Sequence, residues 1–233
     1  MQPTRRPRLK VCCIQDEAEA WSAIGAGADA LGLVSTMPSG PGVIAEETIA
    51  RVAAAVPPPV ATFLLTCARD VDAVAAQHRR VRTTAVQLCD RLERGTLRDL
   101  RAALPAVRIV QVVHVTGPEA IEEAVAAATG ADALLLDSGD RSGAVARLGG
   151  TGRRHDWALS RRIREAVFVP VFLAGGLTAE NVAQAIDEVG PFALDVCTGV
   201  RTEGKLDESK LVRFVSAVYA AGSAAAGSDT AAR

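Results

Sequence analysis

Two nearly identical stretches decide the fold: Gly27-Ala28-Asp29-Ala30-Leu31-Gly32-Leu33-Val34-Ser35 and Gly130-Ala131-Asp132-Ala133-Leu134-Leu135-Leu136-Asp137-Ser138. Each follows an alanine-rich amphipathic segment and continues into apolar residues. This pattern is typical of a helix that ends at glycine and is followed by a buried parallel strand. The chain therefore repeats a helix-to-strand unit. Only the second copy places a carboxylate, Asp137, at the end of its strand.

The composition predicts one large globular domain. The chain has 233 residues, of which 49% are hydrophobic and only 3% aromatic, so we expect a single α/β domain with a core of Ala, Val and Leu. The formal net charge of −1 argues against a nucleic-acid partner, and no apolar run reaches the ~20 residues that span a bilayer. We expect a flexible arm over residues 1–8, the domain over 9–221 and a disordered Gly/Ser/Ala tail over 222–233.

The cysteines indicate a reducing compartment. There are five of them, an odd number, in a chain that shows no secretory signal, so we expect a cytoplasmic protein without structural disulfides. No two cysteines have C-x-x-C spacing, which argues against a zinc site. With neither nucleic acid nor membrane as a partner, we expect a small-molecule ligand bound by a monomer or a homodimer.

Eight apolar runs of strand length alternate with eight amphipathic segments. The predicted strands are Leu9–Ile14, Ala30–Val34, Val60–Leu65, Thr84–Leu88, Arg108–Val115, Ala133–Asp137, Val169–Ala174 and Phe192–Cys197. The predicted helices are Asp16–Ala26, Glu46–Val56, Asp70–Arg79, Thr96–Ala103, Pro118–Ala128, Asp156–Glu165, Ala179–Asp187 and Glu208–Ala220. This alternation favours a closed (β/α)8 TIM barrel, as a single domain, over an open doubly wound sheet. Such a sheet more often has about five or six strands and a Gly-x-Gly-x-x-Gly turn after the first.

In such a barrel, functional residues lie at the carboxyl ends of the strands. Strand alternation places Lys10 and Cys12 on one face and Val11 and Cys13 on the other. A single cysteine is more often a small buried apolar residue, but an inward Lys10 below Cys12 favours the thiolate. Asp137 ends the sixth strand, far from the next helix that it could cap. Cys12 and Asp137 therefore form a candidate acid–base pair.

Three glycine-bearing loops follow the last three predicted strands. Glycine lets main-chain N–H groups approach an anion closely, and barrels most often hold a phosphate in the loops after strands seven and eight. Tight turns without a ligand are the alternative explanation. The residues of the predicted phosphate site are Gly152, Gly175, Gly176, Thr198 and Gly199.

In chain order, these segments resemble the phosphoribosylanthranilate isomerase family of tryptophan biosynthesis. The family patterns Lys-Ile-Cys-Gly-Ile, Gly-Ala-Asp-Ala-Leu-Gly-Phe-Val, Val-Gln-Leu-His-Gly and Leu-Leu-Asp-Ser correspond to residues 10–14, 27–34, 86–90 and 135–138. The patterns Gly-Gly-Thr-Gly-Lys-Thr-Phe-Asp-Trp, Leu-Ala-Gly-Gly-Leu-x-x-Glu-Asn-Val and Asp-Val-Ser-Ser-Gly-Val correspond to residues 149–157, 173–182 and 195–200. The resemblance covers nearly the whole chain.

The resemblance implies an Amadori rearrangement, in which an N-(5-phosphoribosyl)aminoaryl compound becomes the 1-deoxyribulose product. It makes Asp137 the general acid that opens the ribose ring and Cys12 the general base that removes the proton from C2. Neither a metal nor an organic cofactor is required, because side chains carry out both proton transfers. The further candidates for substrate binding are Lys10, Gln87, Arg153, Asp195 and Arg201.

The chain departs from the family pattern where the aryl carboxylate is bound. The family has Ser-Pro-Arg-Tyr-Val, whose arginine holds the carboxylate, but this chain has Ser39-Gly40-Pro41-Gly42-Val43. Losing such a pair costs about 1.5–3 kcal/mol. The family His-Gly is Cys89-Asp90 here, and the glycine after the first-strand cysteine is Cys13. Three hypotheses follow: a related isomerase acting on another phosphorylated aminosugar or aldose, a non-catalytic phosphosugar-binding barrel, and an isomerase whose carboxylate anchor is now Arg153, Arg154 or Arg201.

Overall fold

The computed structural model of the protein describes residues 6–38, 40–138 and 155–228. The strands are β1 (Arg8–Val11), β2 (Ala30–Val34), β3 (Ala61–Thr66), β4 (Ala85–Leu88), β5 (Arg108–His114), β6 (Ala133–Asp137), β7 (Val171–Leu173) and β8 (Ala193–Val196). The helices are α1 (Glu17–Ala26), α2 (Glu46–Ala55), α3 (Val71–Val81), α4 (Leu97–Ala103), α5 (Ala120–Ala128), α6 (Trp157–Ala166), α7 (Val182–Val189) and α8 (Glu208–Ser228). A short antiparallel hairpin precedes α8 and consists of β9 (Arg201–Thr202) and β10 (Lys205–Leu206).

The strands β1 to β8 form a closed parallel barrel, which confirms the predicted (β/α)8 architecture. Each strand pairs with the next one in the chain, and β8 closes the barrel by pairing with β1. Lys10 of β1 lies opposite Asp195 of β8 at this closure.

Across the described ranges, no helix has both the length and the apolar character needed to cross a membrane.

Most observed boundaries lie within two residues of the predicted ones, but the end of β1, the start of α7 and the end of α8 differ by three residues or more. The first strand ends at Val11 instead of Ile14, because Cys13 has a φ of 65° and so leaves the extended region. The last helix continues to Ser228, past Ala220 and into the segment predicted to be a disordered tail. Its alanine-rich sequence has a high helix propensity, which explains the extension.

The two faces of the strands pack into layers of different composition. Outward side chains such as Leu31, Leu33 and Val86 pack under the helices and form the larger apolar layer. Inward side chains are mostly small, but two phenylalanines also lie inside the barrel. The rings of Phe63 and Phe172 have centroids 5.9 Å apart. The core is therefore largely Ala, Val and Leu, as predicted, with aromatic filling at the barrel interior.

The repeated Gly-Ala-Asp-Ala stretch ties each helix-to-strand unit to the preceding strand. The Asp29 carboxylate accepts the N–H of Leu9 at 2.8 Å, and the Asp132 carboxylate accepts the N–H of Ile109 at 2.8 Å. Each carboxylate also pairs with the arginine that begins that strand, namely Arg8 and Arg108. The repeated aspartate is therefore a structural residue at the amino ends of β1 and β5.

The amino-terminal segment is anchored to the barrel from Arg6 onward. The Arg6 guanidinium pairs with Asp29 at 3.2 Å and lies 4.7 Å from the centroid of the Tyr219 ring. The first strand begins at Arg8. Of the predicted flexible arm, residues 1–5 lie outside the described residues.

Candidate active site

Cys12 follows β1 directly and lies inside the barrel at the carboxyl end of the strands. Its N–H donates to the Val196 carbonyl oxygen of β8 at 2.8 Å, which extends the strand pairing by one residue. The residue is 6% exposed and packs among the inward-facing apolar side chains. A Cβ atom at Gly32 would lie 2.8 Å from the Cys12 Sγ atom, so the glycine in β2 leaves room for the thiol.

A buried ion pair lies beside Cys12 and joins β1 to β8. The Lys10 Nζ atom donates to the Asp195 Oδ1 atom at 2.9 Å, and the Lys10 side chain is 0% exposed. Burial disfavours the ammonium, but Asp195 and the thiols of Cys12 and Cys13 outweigh burial and raise the pKa of Lys10. Lys10 is therefore a permanent cation next to the Cys12 thiol.

The surroundings of Cys12 favour its thiolate. Hydrogen bonding from the Cys13 thiol lowers the pKa of Cys12, burial opposes this, and the Lys10 ammonium lowers the pKa further. Asp195 acts in the opposite direction, but the net pKa lies below the ordinary value of 9.0. A thiolate beside a fixed cation is suited to accept a proton as a general base.

Asp137 is the last residue of β6 and is 8% exposed. Strand alternation turns its carboxyl group into the barrel, on the same face as Ala133 and Leu135. Burial raises the pKa of Asp137 to about 6, against a hydrogen bond from the Ser138 N–H at 2.7 Å, and Asp195 adds to the rise. A carboxyl group that is still partly protonated near neutral pH is suited to act as a general acid.

The acid and the thiol share one set of neighbours. Lys10 and Asp195 act electrostatically on both Cys12 and Asp137. Cys89, just after β4, also lies in the barrel interior, where burial, then Cys12, and also Asp137 raise its pKa. The structure therefore brings the two predicted catalytic residues into one charged region at the carboxyl end of the barrel.

The loops after β7 and β8 adjoin each other at this end. Gly175 and Gly176 have φ values of 85° and 64°, a left-handed conformation that favours glycine. A Cβ atom at Gly199 would collide with the Leu177 carbonyl oxygen, so the close approach of the two loops requires glycine there. Thr198 is exposed in the same turn. Two residues of the predicted site lie outside the described residues: Gly152 and Arg153.

Arg201 holds the turn after β1 in place. Its Nη2 atom donates to the carbonyl oxygens of Cys12 and Cys13 and to a carboxylate oxygen of Glu19 at 2.9 Å. Its Nη1 atom donates to Glu19 and to the Gly204 carbonyl oxygen. Both terminal nitrogens are occupied and the residue is 7% exposed, so Arg201 supports the turn after β1. Its Nε atom is buried without a hydrogen-bond partner among the described residues, and the substrate contact of Arg201 stays a prediction.

Two further polar side chains lie inside the barrel. The Gln87 Oε1 atom is buried without a hydrogen-bond partner among the described residues, which fits the predicted contact with a ligand. His114 was not among the predicted site residues. It ends β5 opposite Asp137, and its Nε2 atom lies 3.3 Å from the Cys89 carbonyl oxygen. Its position at a predicted strand end was the available signal.

In the described part of the chain, no group of three or more His, Cys, Asp or Glu residues is suited to hold a metal ion.

Two departures from the family pattern have a local structural explanation. Cys13 has a φ of 65°, which glycine adopts easily and which explains the family glycine at this position. Asp90 is 6% exposed, and its carboxylate accepts hydrogen bonds from Arg69 at 2.9 and 2.6 Å. An ion pair therefore compensates the carboxylate that replaces the second family glycine.

Together, the fold and the site define a (β/α)8-barrel protein with a buried acid–thiol pair at the carboxyl ends of its strands. Residues 9–217 match the sequence profile of the family described as PRAI: N-(5'phosphoribosyl)anthranilate (PRA) isomerase. The chain belongs to this family.

Individual relatives agree with this assignment. A protein of Methanocella arvoryzae named N-(5'-phosphoribosyl)anthranilate isomerase is 37% identical over 210 residues, which cover 88% of this chain and 94% of the relative. The structure of phosphoribosyl anthranilate isomerase from Thermotoga maritima has a TM-score of 0.77 and 28% identity, covering 92% of this chain and 99% of that chain. A structure of phosphoribosyl anthranilate isomerase in complex with reduced 1-(o-carboxyphenylamino)-1-deoxyribulose 5-phosphate has a TM-score of 0.74 and 27% identity, with the same coverage.

Proposed function

We propose that this protein is a phosphoribosylanthranilate isomerase, which converts N-(5-phosphoribosyl)anthranilate into the corresponding 1-deoxyribulose 5-phosphate by general acid–base catalysis. The observation that carries the proposal is the buried pair at the barrel mouth, Asp137 with a pKa of about 6 and Cys12 beside the Lys10 ammonium. The names of the relatives and the compound bound in one of their structures support the same reaction.

In this proposal Asp137 acts first, as the general acid. Its carboxyl group gives a proton to the ribose ring oxygen, the bond from C1 to that oxygen breaks, and the nitrogen lone pair forms the C1–N double bond of a Schiff base. With a pKa of about 6, about one tenth of Asp137 is protonated at pH 7. An ordinary aspartate with a pKa of 3.8 would be protonated in fewer than about one molecule in a thousand. Burial therefore supplies the acid form.

Cys12 then acts as the general base. Its thiolate removes the proton from C2, the electrons of that C–H bond form the C1–C2 double bond, and the second electron pair of the C1–N double bond returns to nitrogen, which gives an enolamine. The enolamine becomes the ketone when C1 gains a proton and the C2 hydroxyl group loses one. Substrate and product are isomers, so both side chains regain their starting protonation states over one cycle. Lys10 stabilises the thiolate before the transfer.

The phosphate group lies, in this proposal, against the adjoining loops after β7 and β8. Main-chain N–H groups near Gly175, Gly176 and Gly199 bind it, together with Thr198 and Gly152. Glycine permits the close approach that an anion needs, and the left-handed φ values of Gly175 and Gly176 support this use. This places the phosphate at one end of the substrate and the reacting carbons over Cys12 and Asp137.

Turnover of phosphoribosylanthranilate by the full-length protein tests the proposal, with the isomeric product separated by chromatography. We expect Cys12→Ser and Asp137→Asn each to lower kcat about 100-fold or more, with KM changed less than about threefold. Cys67→Ser is the matched control, because this half-buried thiol contacts the Thr36 carbonyl oxygen and should be dispensable. Near-wild-type activity in either variant contradicts its assigned role. A folded wild-type protein without turnover contradicts the proposed function.

The missing arginine favours a second candidate, a related isomerase whose phosphorylated substrate lacks the aryl carboxylate. Arg201 is occupied by Glu19, and the other suggested anchors, Arg153 and Arg154, lie outside the described residues. Growth of a tryptophan auxotroph that lacks this step supports the first candidate. Failure to restore growth, combined with turnover of an N-(5-phosphoribosyl)aniline, supports the second. Equal binding of phosphorylated ligands to wild type and Cys12→Ser, without any reaction, supports a non-catalytic binding barrel.

We place this enzyme in the cytoplasm as a monomer or a homodimer. The five cysteines are all free thiols, which supports a reducing compartment. Light scattering of the purified protein, with and without a phosphorylated ligand, measures the oligomeric state.

A further inference from the structure

Two thiols meet where the barrel closes. The Cys197 Sγ atom lies 2.9 Å from the Cys13 Sγ atom, and both residues are free cysteines. Cys13 lies just beyond β1 and Cys197 just beyond β8, two strands that pair directly with each other. The sulfur atoms of a disulfide are about 2.0 Å apart, so this pair could close with a movement of about 0.9 Å.

Neither thiol takes part in the proposed proton transfers, and the family pattern has glycine and serine at these positions. Cys13 has a φ of 65°, which is unfavourable for a residue that carries a side chain. A thiol held in a conformation that suits glycine better points to a role for its sulfur atom. The contact with Cys197 identifies the partner of that sulfur atom.

We propose that Cys13 and Cys197 are a redox-modification site, at which a reversible disulfide controls the isomerase. The oxidant is a low-molecular-mass disulfide such as oxidised glutathione. Cys197 is half-buried and therefore reachable, so its thiolate attacks one sulfur of that disulfide and releases one thiol. The Cys13 thiol then loses its proton as its sulfur attacks the Cys197 sulfur and releases the second thiol. The two protein thiols are oxidised to one disulfide, while the reagent disulfide is reduced to two thiols that take up the two protons.

The disulfide acts on the catalytic thiol through Cys13. Cys13 is the next residue after Cys12 and lowers the pKa of the Cys12 thiol, so a disulfide at Cys13 changes the immediate surroundings of the base. A higher pKa of Cys12 leaves a smaller thiolate population at a pH below that pKa, so less of the base is available. Cys13 also supports the segment between β2 and α2. Its Sγ atom lies 3.5 Å from the Pro41 carbonyl oxygen, and Gly42 approaches Cys13 too closely for a side chain. Moving the Cys13 sulfur therefore disturbs both the base and this segment.

Mapping of disulfides by mass spectrometry tests the chemical step. The full-length protein is incubated with oxidised glutathione, the free thiols are blocked, and cross-linked peptides are identified. We expect a cross-link in the wild type, in Cys12→Ser and in the control Cys67→Ser. It should be absent from Cys13→Gly and from Cys197→Ser. No cross-link in the wild type, or a cross-link that survives in Cys13→Gly, overturns the proposal.

The activity measurement rests on the proposed function, whereas the cross-link does not, so failures of the two proposals are distinguishable. We expect oxidation to lower wild-type activity about tenfold and dithiothreitol to restore it, with the same behaviour in Cys67→Ser. Cys197→Ser should keep its activity in oxidised glutathione. An equal loss in Cys197→Ser would show that another thiol, such as Cys12, is the target, and it would overturn the proposal. A cross-link without any change in activity would overturn the control role.

Discussion

Asp137→Asn should make the protein more stable at neutral pH while it abolishes most of the activity. The Asp137 carboxyl group is 8% exposed, and burial opposes its charge more strongly than the Ser138 hydrogen bond favours it. At neutral pH the folded protein therefore holds a charge in a place that disfavours it. Asparagine has nearly the same shape, can accept the same hydrogen bond and carries no charge.

The magnitude follows from the pKa. Burial raises the pKa of Asp137 from 3.8 to about 6, so the folded state binds this proton more tightly than the unfolded chain does. The stability that this proton contributes is fully present below about pH 3.8 and is lost as the pH rises through about 6. The difference corresponds to about 3 kcal/mol in total, of which about 2 kcal/mol is lost between about pH 4.5 and 7.5. The asparagine variant does not lose it.

Urea unfolding of wild type and Asp137→Asn at pH 4.5 and 7.5 measures the effect. The free energy of unfolding of the variant, relative to wild type, should rise by about 2 kcal/mol between these pH values. The other titrating groups are common to both proteins, so the comparison isolates Asp137. As a matched control, Asp132→Asn should lose about 1 kcal/mol at pH 7.5, because it removes the charge that pairs with Arg101 and Arg108. A relative stability of Asp137→Asn that is constant with pH would refute the reasoning.

Three other substitutions test the surroundings of the site. Asp195→Asn should lower the free energy of unfolding by about 3–5 kcal/mol in urea titrations, because it leaves the fully buried Lys10 ammonium without its carboxylate. Gly199→Ala should raise KM for the phosphorylated substrate about tenfold or more, since the added methyl group collides with the neighbouring loop; an unchanged KM would count against a phosphate site there. Gly32→Ala should lower kcat about tenfold without loss of the circular dichroism spectrum, because its methyl group would lie 2.8 Å from the Cys12 sulfur.

Much of the fold was predictable because it depends on local patterns. The repeated Gly-Ala-Asp-Ala stretch, the alternation of apolar runs with amphipathic segments and the glycine at helix ends each reflect backbone geometry within a few residues. Alternation alone places Lys10 and Cys12 on one face of β1, and the length of the apolar run places Asp137 at a strand end. These features required no knowledge of which strands are neighbours.

The remaining features depend on contacts between distant segments. The sequence could not show that Arg201 pairs with Glu19 on α1, a residue 182 positions away in the chain. The contact of Cys13 with Cys197 arises only because β8 closes against β1. The early end of β1 was also not predictable from periodicity. Cys13 adopts a left-handed conformation, and a cysteine in an apolar run gives no sign of such a conformation. Polarity and periodicity predict where side chains point, but not which partner they meet.

Two aspartates of one segment have different roles: Asp132, just before β6, stabilises the fold, and Asp137, at the end of β6, is the proposed acid. Asp132, at the amino end, is partly buried, but the Ile109 N–H and Arg101 outweigh that burial and hold its pKa below the ordinary value. Asp137, at the carboxyl end, has hydrogen bonds from the adjacent Ser138 that do not offset its burial, and its pKa rises to about 6. A carboxylate stabilised in its charged form strengthens the folded state and makes a poor proton donor at neutral pH. A carboxylate left under-compensated weakens the folded state, and for the same reason it is able to donate a proton. The distribution of hydrogen-bond donors along the strand, and not the residue type, therefore determines which aspartate can carry the reaction.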